Sequence, residues 1–355
     1  MHTKTICKAV SIVLLPLAIA NSASAQSNMS VYGLIDANIG YTNNSDANKN
    51  SVFKLNSGGM NTSRLGFRGN EDLGGGLKAI WQLEGGVILD TGTSDGDLFG
   101  RQANVGLQGD FGRIVAGRSY STTYDFILPF DPLGYAPQYS WATSAGATSG
   151  RKDGMLTGTS NMVKYQFDGS GFKLGATYGL GEVAGDTSAS AKLSLAASMS
   201  SGPFSAVAVY DQVNGALAAN GAIDKAKTIH LAASYEIDAA KLFLAYRNYK
   251  KTLATGATDL RSDLIWAGLN YQLTPSWILT GVYYYQDIKN LPAGADADPS
   301  LTVVRARYAL SKRTDLYVAA AYAKASNNKL VGVSRDDAGF ASTQNAATFG
   351  IQHRF

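Results

Sequence analysis

The sequence is short of cysteine, of histidine and of long apolar runs, and each shortage excludes a class of protein. One residue of 355 is cysteine (Cys7) and three are histidine. A single cysteine leaves no intramolecular disulfide and no thiolate metal site. Beyond the first 25 residues no apolar run reaches the roughly 18 to 20 residues that a membrane-spanning helix needs. Disulfide-stapled, thiolate-metal and helical membrane proteins are therefore excluded.

The chain also lacks a strong charge of either sign. It has 31 Lys+Arg against 27 Asp+Glu, and leaving out Lys4 and Lys8 gives 29 against 27. Nucleic-acid-binding proteins are usually strongly basic. We therefore expect no nucleic acid among the partners.

The first 25 residues have the pattern of an export signal. Lys4 and Lys8 make a basic start, residues 9–20 are almost entirely apolar, and Ala23-Ser24-Ala25 is a small-residue cleavage site. This segment is too short and wrongly flanked for a membrane anchor. We predict a signal peptide over residues 1–25 and one mature domain over residues 26–355.

Period-two alternation of apolar and polar residues recurs along the whole mature chain. Hydrophobic residues make up 45% of the sequence, and many alternate with polar ones, as Ala79, Trp81 and Leu83 do with Lys78, Gln82 and Glu84. Successive side chains of a strand point to opposite faces, so each segment has one apolar and one polar side. The pattern predicts an all-β protein.

About sixteen such segments can be counted, each near the roughly ten residues that a tilted transmembrane strand needs. Their approximate starts are Ser30, Ser63, Leu77, Arg101, Gly112, Asn161, Phe172, Lys192, Phe204, Thr228, Lys241, Asp263, Trp277, Thr302, Asp315 and Ala346. An even number is typical of a bacterial single-chain barrel.

The links between the segments alternate between short and long. Tight turns such as Asp110-Phe111-Gly112 and Gly169-Ser170-Gly171 alternate with long polar links. The long links run over residues 42–62, 88–100, 119–160, 213–227 and 324–345. Short periplasmic turns and longer external loops are typical of outer-membrane barrels, whereas a soluble β-sandwich has no reason to segregate its loops. We predict a 16-stranded antiparallel transmembrane β-barrel.

The 19 tyrosines fit the same architecture, because many lie near predicted strand ends. Examples are Tyr246, Tyr249, Tyr271 and the run Tyr283-Tyr284-Tyr285. Amphipathic rings favour the boundary between membrane and water. The alternative is that they fill a soluble core, but a core buries Phe and Leu more readily than phenols.

Several motifs in fixed order resemble a known family. They are Ser30 to Asp36 (SVYGLID), Ser63 to Gly69 (SRLGFRG), Glu71 to Ala79 (EDLGGGLKA), Phe111 to Arg118 (FGRIVAGR) and the terminal Phe355. The chain resembles the general diffusion porins of Gram-negative outer membranes, most closely those of β-proteobacteria. The resemblance covers the mature chain and is strongest from Ser30 to Arg118.

The resemblance implies a homotrimer in the cell outer membrane, with one channel per subunit for passive diffusion of ions and small hydrophilic solutes. It also implies outer-membrane lipid and lipopolysaccharide as partners. In this family the third external loop folds into the lumen and narrows it. The longest link, residues 119–160, is the third external one here and matches that loop.

The predicted site is the narrowest part of the water path, where fixed charges select ions by sign. Arg64 and Arg68 lie on the polar face of their strand, and an arginine facing lipid near the midplane would cost about 2 to 4 kcal/mol. Arg64 and Arg101 also match wall arginines of the family. The alternative is a salt bridge that holds the barrel wall. The predicted basic residues are Arg64, Arg68, Lys78, Arg101 and Arg151.

Strict alternation would place Arg101 on the apolar face, because it is in step with Val105 and Leu107. A bulge, or a position high on the strand, would still allow its side chain to face the pore. Arg118 is in step with Ile114 and Ala116 on the outward face. We therefore take Arg118 as a candidate subunit contact.

The predicted acidic side is carried mainly by the long loop. Asp125 and Asp131 are its first candidates, with solvated loop residues or turn caps as the alternative, since Asp131 precedes Pro132. Asp36 and Glu84, on the polar faces of their strands, complete the acidic set. Because the basic members outnumber the acidic ones, we predict a weak preference for anions.

Three other functions compete with a diffusion pore. A barrel enzyme needs an activated nucleophile or an acid–base pair, and neither a Gly-x-Ser-x-Gly elbow nor a His-Glu-x-x-His helix occurs beside His230 and His353. We therefore expect no enzyme, no cofactor and no metal. A substrate-selective sugar channel would need a run of lumenal aromatics, for which Trp266 alone is weak evidence. A barrel adhesin would use the long loops to bind partners.

Overall fold

The computed structural model describes residues 28–146, 153–292 and 294–355. The predicted signal peptide over 1–25 lies outside these residues. Within the described ranges, no helix is long and apolar enough to cross a membrane.

In the described part of the chain, sixteen antiparallel strands form one closed barrel, as predicted. They are β1 (Asn28–Thr42), β3 (Arg64–Gly74), β4 (Leu77–Ile88), β6 (Gln102–Gly109), β7 (Gly112–Tyr120), β10 (Gly158–Gly169), β11 (Phe172–Gly179), β12 (Lys192–Ser201), β13 (Phe204–Leu217), β14 (Ile223–Ile237), β15 (Ala240–Thr252), β16 (Thr258–Gln272), β17 (Trp277–Ile288), β18 (Ser300–Ala309), β19 (Thr314–Lys324) and β20 (Thr343–Arg354). Two short strands, β2 (Val52–Ser57) and β5 (Thr93–Asp95), extend the sheet beside β1 and β4.

The last strand closes the barrel against the first. Ile35 pairs with His353 and Ile39 with Phe349 across β1 and β20, while the other edge of β1 pairs with β2 and β3. Phe355 and Gly33 exchange two backbone hydrogen bonds of 3.1 Å below this ladder. Closure leaves no sheet edge facing lipid, where an unpaired backbone group would cost several kcal/mol.

The barrel wall is apolar outside and polar inside. On β20, Phe349 is 58% exposed whereas Gln352, on the other face, is fully buried. The same alternation explains a difference from the tyrosine prediction. Tyr283 is exposed on the outer face, but its neighbour Tyr284 and also Tyr249 are buried on the inner face. These two rings therefore do not belong to an outer girdle.

One predicted long link is shorter than expected. β13 continues to Leu217 and β14 begins at Ile223, so only residues 218–222 join them. A register shift between Asn214 and Leu217 lets the ladder continue beyond the apolar belt. Polar residues such as Lys225 pair readily there because water solvates their side chains.

The segment over residues 119–160 contains a short helix α1 (Thr122–Ile127), a 3₁₀ turn at Leu128–Phe130 and two short strands, β8 (Ser144–Ala145) and β9 (Asp153–Gly154). The Ser121 hydroxyl caps α1 by accepting a hydrogen bond of 3.1 Å from the Tyr124 amide. The main hydrophobic cluster surrounds this segment and includes Ile127, Trp141 and Trp266.

This segment contacts the inner faces of strands far apart around the barrel. The Thr123 hydroxyl and the Ser194 hydroxyl of β12 lie 2.6 Å apart, the Trp266 indole of β16 donates to the Phe130 carbonyl at 3.0 Å, and Tyr139 bonds Thr348 of β20. Gly268 permits the close approach, since a Cβ atom there would lie 2.4 Å from the Pro132 ring. The segment therefore crosses the barrel interior.

Candidate functional site

The centre of the site is a cluster of two arginines around one carboxylate, Glu84 on β4. Arg101 Nε donates to Glu84 Oε1 at 2.8 Å, and Arg64 Nε lies 3.8 Å from Glu84 Oε2. The Tyr32 hydroxyl donates to the same carboxylate at 2.8 Å. Glu84 is buried, while the Arg64 side chain remains 28% exposed. We call Arg64, Arg101 and Glu84 the arginine cluster.

The structure explains how Arg101 reaches Glu84 although strict alternation would place it on the apolar face. The regular alternation of β6 begins at Gln102, one residue later, and the Arg101 amide donates to the Glu84 carbonyl at 3.2 Å. Its guanidinium lies 5.5 Å from the centre of the Tyr120 ring. The side chain therefore turns inward from irregular backbone at the end of the strand.

Arg68 and Lys78, the other predicted basic residues that the structure describes, lie apart from this cluster. Arg68 lies over the Tyr32 ring at 4.9 Å and lines a cavity of about 320 Å³ together with Gln82 and Arg113. Lys78 is exposed next to the short turn between β3 and β4, opposite Asp72 in the ladder. Arg151 lies outside the described residues.

Asp125 of α1 does not carry an isolated charge. It pairs with Lys164 of β10, whose ammonium is buried and also donates to the Tyr120 carbonyl at 3.0 Å. Lys164 was not among the site residues predicted from the sequence. Its alternation with Val163 and Tyr165, both outward, was the signal that could have found it.

Asp131 and Asp36 are both buried in networks of donors. Asp131 accepts hydrogen bonds from the Tyr284 hydroxyl at 2.6 Å, the Ser140 hydroxyl at 2.7 Å and the Tyr135 amide at 2.7 Å. This network holds the turn after Phe130.

Asp36 organises a second turn, over residues 58–61. It accepts from the amides of Gly59, Met60 and Asn61 at 2.8 to 3.0 Å. It also accepts from the Tyr317 hydroxyl at 2.6 Å. The first strand is thereby tied to β19 through one carboxylate.

The far end of the inner segment is anchored by an ion pair that was likewise not predicted from the sequence. Arg247 of β15 donates from Nη2 to Asp153 Oδ1 at 2.6 Å, and both side chains are fully buried. Arg247 also donates to the Ala142 carbonyl. Because the two residues are 94 positions apart, local patterning carries no signal for this pair.

A second basic cavity, of about 330 Å³, lies beside Pro132. Arg305 donates to the carbonyls of Pro132 and Leu133, each at 3.3 Å. Among the described carboxylates, none lies within 4.0 Å of the Arg305 guanidinium, and Lys241, Arg307 and Arg354 line the same cavity. Arg305 and Arg307 were not among the site residues predicted from the sequence.

Three tyrosines of the inner segment, Tyr120, Tyr124 and Tyr135, pack together near the arginine cluster. The Tyr120 and Tyr124 rings stack with centroids 4.2 Å apart, and the Tyr135 hydroxyl donates to the Tyr124 carbonyl at 3.2 Å. Burial raises the pKa of the Tyr124 and Tyr135 phenols above the ordinary value. Both rings therefore stay neutral at physiological pH and add no charge to the field of the cluster.

Arg118 makes its hydrogen bonds with residues other than the arginine cluster. Its guanidinium donates to the Gly100 carbonyl and to the Ser160 hydroxyl, the latter at 2.7 Å. These contacts join β7 to Gly100, which lies just before β6, and to Ser160 near the start of β10.

Trp266 and His230, which bear on two of the competing functions, are buried. Trp266 packs beside Tyr284 with ring centroids 6.2 Å apart, and its indole is covered by the inner segment. His230 is fully buried 3.7 Å from Asp211. Among the described residues, no three His, Cys, Asp or Glu side chains group closely enough to hold a metal ion.

A closed barrel with an apolar outer belt, polar interior and charged inner cluster defines a membrane channel. The chain belongs to the Gram-negative porin family, whose model matches residues 9–328. It is therefore a channel of the cell outer membrane for passive diffusion, and the family indicates a channel rather than an enzyme. The resemblance noted in the sequence is confirmed.

Relatives and solved structures agree with this assignment. Outer membrane porin protein 32 of Delftia acidovorans is 30% identical, over 97% of this chain and 99% of its own length. An outer membrane porin protein of Bordetella pertussis is 29% identical over 95% and 96%. The solved structure of the anion-selective porin from Comamonas acidovorans matches with a TM-score of 0.78 and 27% identity, over 93% of this chain and 100% of that one.

Proposed function

We propose that this porin prefers anions weakly and that its selectivity is set where the arginine cluster faces the inner segment over residues 119–160. The basic residues of the ion path are Arg64 and Arg101, followed by Arg68 on the side of the short turns. Lys78, beside the short turn between β3 and β4, and Arg151 complete the proposed basic set.

One contrast carries the proposal: most acids of the interior are buried, whereas several arginines reach water. The exception is Asp125, whose side chain is 30% exposed but is paired with Lys164. Each of the buried acids is at most 5% exposed, namely Asp36, Glu84, Asp131, Asp153, Asp211 and Asp315. The side chains of Arg64, Arg307 and Arg354 are 28%, 31% and 40% exposed. An ion in the water path is influenced most by the charges that reach it, which supports a preference for anions.

The same contrast assigns different roles to the predicted acids. Asp36 and Asp131 hold turns, so we leave them out of the ion path. Asp125 is compensated by Lys164, and Glu84 moderates the positive charge of the cluster without cancelling it. The similar barrel from Comamonas acidovorans is described as an anion-selective porin, which supports the same sign of selectivity here.

The assembly and processing of the chain follow from the family. We propose a homotrimer in outer-membrane lipid and lipopolysaccharide, with Arg118 near the subunit contact. We also propose cleavage after Ala25. Crosslinking of the purified protein and N-terminal sequencing test these two points.

Reversal potentials across planar bilayers in a salt gradient test the proposed selectivity. We expect an anion preference that Arg64→Ala reduces and that Asp131→Ala leaves unchanged in sign. Lys312→Ala, an exposed residue in a short turn, is the matched control. A cation preference in the unmodified protein would defeat the proposal.

A further inference from the structure

The basic cavity beside Pro132 lies near the short-turn end of the barrel and contains no member of the arginine cluster. Three of the cations that line it are within a few residues of a strand end: Lys241 near the start of β15, Arg307 near the end of β18 and Arg354 at the end of β20. Short turns mark the periplasmic end of such barrels. We propose that this cavity binds the phosphate group of a small solute that crosses the barrel.

One row of polar side chains crosses the inner wall at this cavity. The sheet register pairs Lys241 with Asn270 of β16, Asn270 with Thr280 of β17, and Thr280 with Arg305 of β18. We call these four residues the polar row. It spans about 14 Å, because neighbouring strands lie about 4.8 Å apart. Lys241, Asn270 and Arg305 line the cavity, so the row faces the interior.

Arg305 has more N–H donors than the protein uses. A guanidinium has five such donors. The contacts of Arg305 occupy three of them, at 3.3 Å to the Leu133 carbonyl, 3.3 Å to the Pro132 carbonyl and 3.5 Å to the Thr280 hydroxyl. Its Nε is buried, and no acceptor among the described residues contacts it. A buried donor without an acceptor is unfavourable, so an anion bound beside Arg305 would stabilise it.

The other cations of the cavity are only partly compensated. Arg307 and Arg354 share the single carboxylate of Asp315, at 3.9 and 2.9 Å. Lys241 pairs at 2.9 Å with Glu236, whose side chain is 60% exposed. Water and salt weaken an exposed pair of this kind. Positive charge therefore remains available to a bound anion.

Two further side chains of the cavity agree with an anionic ligand. Asp131 lines it, but the carboxylate already accepts hydrogen bonds from the Tyr284 and Ser140 hydroxyls at 2.6 and 2.7 Å. The Thr280 hydroxyl donates to Asn270 Oδ1 at 2.7 Å. Because the oxygen of this amide is occupied, its Nδ2 is the group that can donate to a bound anion.

The set of donors favours a phosphate group over a monovalent ion. Guanidinium forks match phosphate oxygens in bidentate geometry, while a lysine contributes a point charge. The Coulomb energy with each cation is about twice as large for a doubly charged anion as for chloride. A cavity of about 330 Å³ accommodates either inorganic phosphate or a phosphate attached to a small organic group. Both ligands present the same chemistry to the polar row.

The test measures how phosphate blocks the chloride current through the purified porin in planar bilayers. The probes are inorganic phosphate and glycerol 3-phosphate at about pH 8, where a phosphate monoester carries nearly two negative charges. Nitrate at the same ionic strength is the monovalent control. We expect a saturable block by the probes and none by nitrate. A saturable block by one probe alone also supports the proposal and shows whether the ligand is the free ion or an ester.

The first variant is Lys241→Gln/Arg307→Gln. It leaves Asp315 paired with Arg354, so no buried carboxylate loses its last partner. We expect the phosphate concentration for half-maximal block to rise about a hundredfold, since a charged hydrogen-bond partner contributes about tenfold in affinity.

The matched control is Lys173→Gln/Arg313→Gln. It also removes one lysine and one arginine, from exposed positions at the short-turn end. Lys173 forms an exposed pair with Asp168, as Lys241 does with Glu236. The control should be blocked as the unmodified protein is.

A second variant, Asn270→Asp, changes the charge of the cavity with almost no change of shape. Its carboxylate can still accept from the Thr280 hydroxyl, but it places a negative charge inside the polar row. We expect it to abolish the phosphate block. Circular dichroism and urea unfolding establish that the variants are folded.

Arg64→Ala separates this inference from the proposed ion selectivity, on which it does not rest. That variant should lower the anion preference and leave the phosphate block unchanged. Three results would overturn the inference: an equal block by nitrate, a phosphate block that persists unchanged in Lys241→Gln/Arg307→Gln or Asn270→Asp, and a block that is lost in Arg64→Ala alone.

Discussion

Arg247 and Asp153 form a fully buried ion pair, 2.6 Å from Nη2 to Oδ1, between the barrel wall and the segment that crosses the interior. Arg247 also donates to the Ala142 carbonyl, so one side chain holds two points of that segment. A buried charge that loses its partner is strongly unfavourable. The pair therefore fixes where the inner segment lies, and with it the width of the water path.

The first prediction concerns this pair. Asp153→Asn should lower the free energy of unfolding by about 3 kcal/mol, because Arg247 then stays buried without a counter-charge. Urea unfolding in detergent or lipid measures the loss. Asp168→Asn, at an exposed pair with Lys173, is the control and should cost less than about 1 kcal/mol. Equal losses in both variants would contradict the anchoring role.

The second prediction concerns Glu84. Glu84→Gln keeps an acceptor for Arg101 but removes the negative charge beside Arg64. A unit charge about 8 Å from an ion in water contributes about 0.5 kcal/mol, with opposite sign for an anion and a cation. The ratio of anion to cation permeability should therefore rise about fivefold, since the two contributions together make about 1 kcal/mol. Reversal potentials measure this ratio, and Asp168→Asn is again the control. A fall in the ratio would contradict this prediction, because the negative charge of Glu84 would then not be acting on ions in the water path.

The third prediction concerns Gly268. A Cβ atom there would lie 2.4 Å from Pro132, so Gly268→Ala should displace the inner segment or cost about 1 to 3 kcal/mol of stability. Single-channel conductance and urea unfolding detect the two outcomes. The neighbouring Gly281 has open space at its Cβ position, which makes Gly281→Ala a matched control. If both substitutions behave like the unmodified protein, the close packing of Pro132 on β16 is not needed.

The strands could be predicted from the sequence because the barrel wall is a single β-sheet. Each side chain faces either lipid or interior, so alternation alone locates the strands and places Arg64 inside. Alternation did not predict the inward position of Arg101, because this residue lies outside the regular strand. The contacts of the inner segment, such as Arg247 with Asp153, could not be predicted, since they join residues far apart in the chain. Asp131 could be recognised as a turn residue, but not as the acceptor of the Tyr284 hydroxyl.

The last prediction separates charge from packing at Asp125 and Lys164. Lys164 is buried, so Asp125→Asn should cost about 3 kcal/mol by leaving its ammonium without a counter-charge. Lys164→Met in the same chain should recover much of that loss, because the apolar side chain fills a similar volume and needs no partner. Urea unfolding of the two single variants and the double variant gives the coupling energy. An additive cycle would mean that the two charges do not stabilise each other. The pair would then serve only to pack α1 against β10.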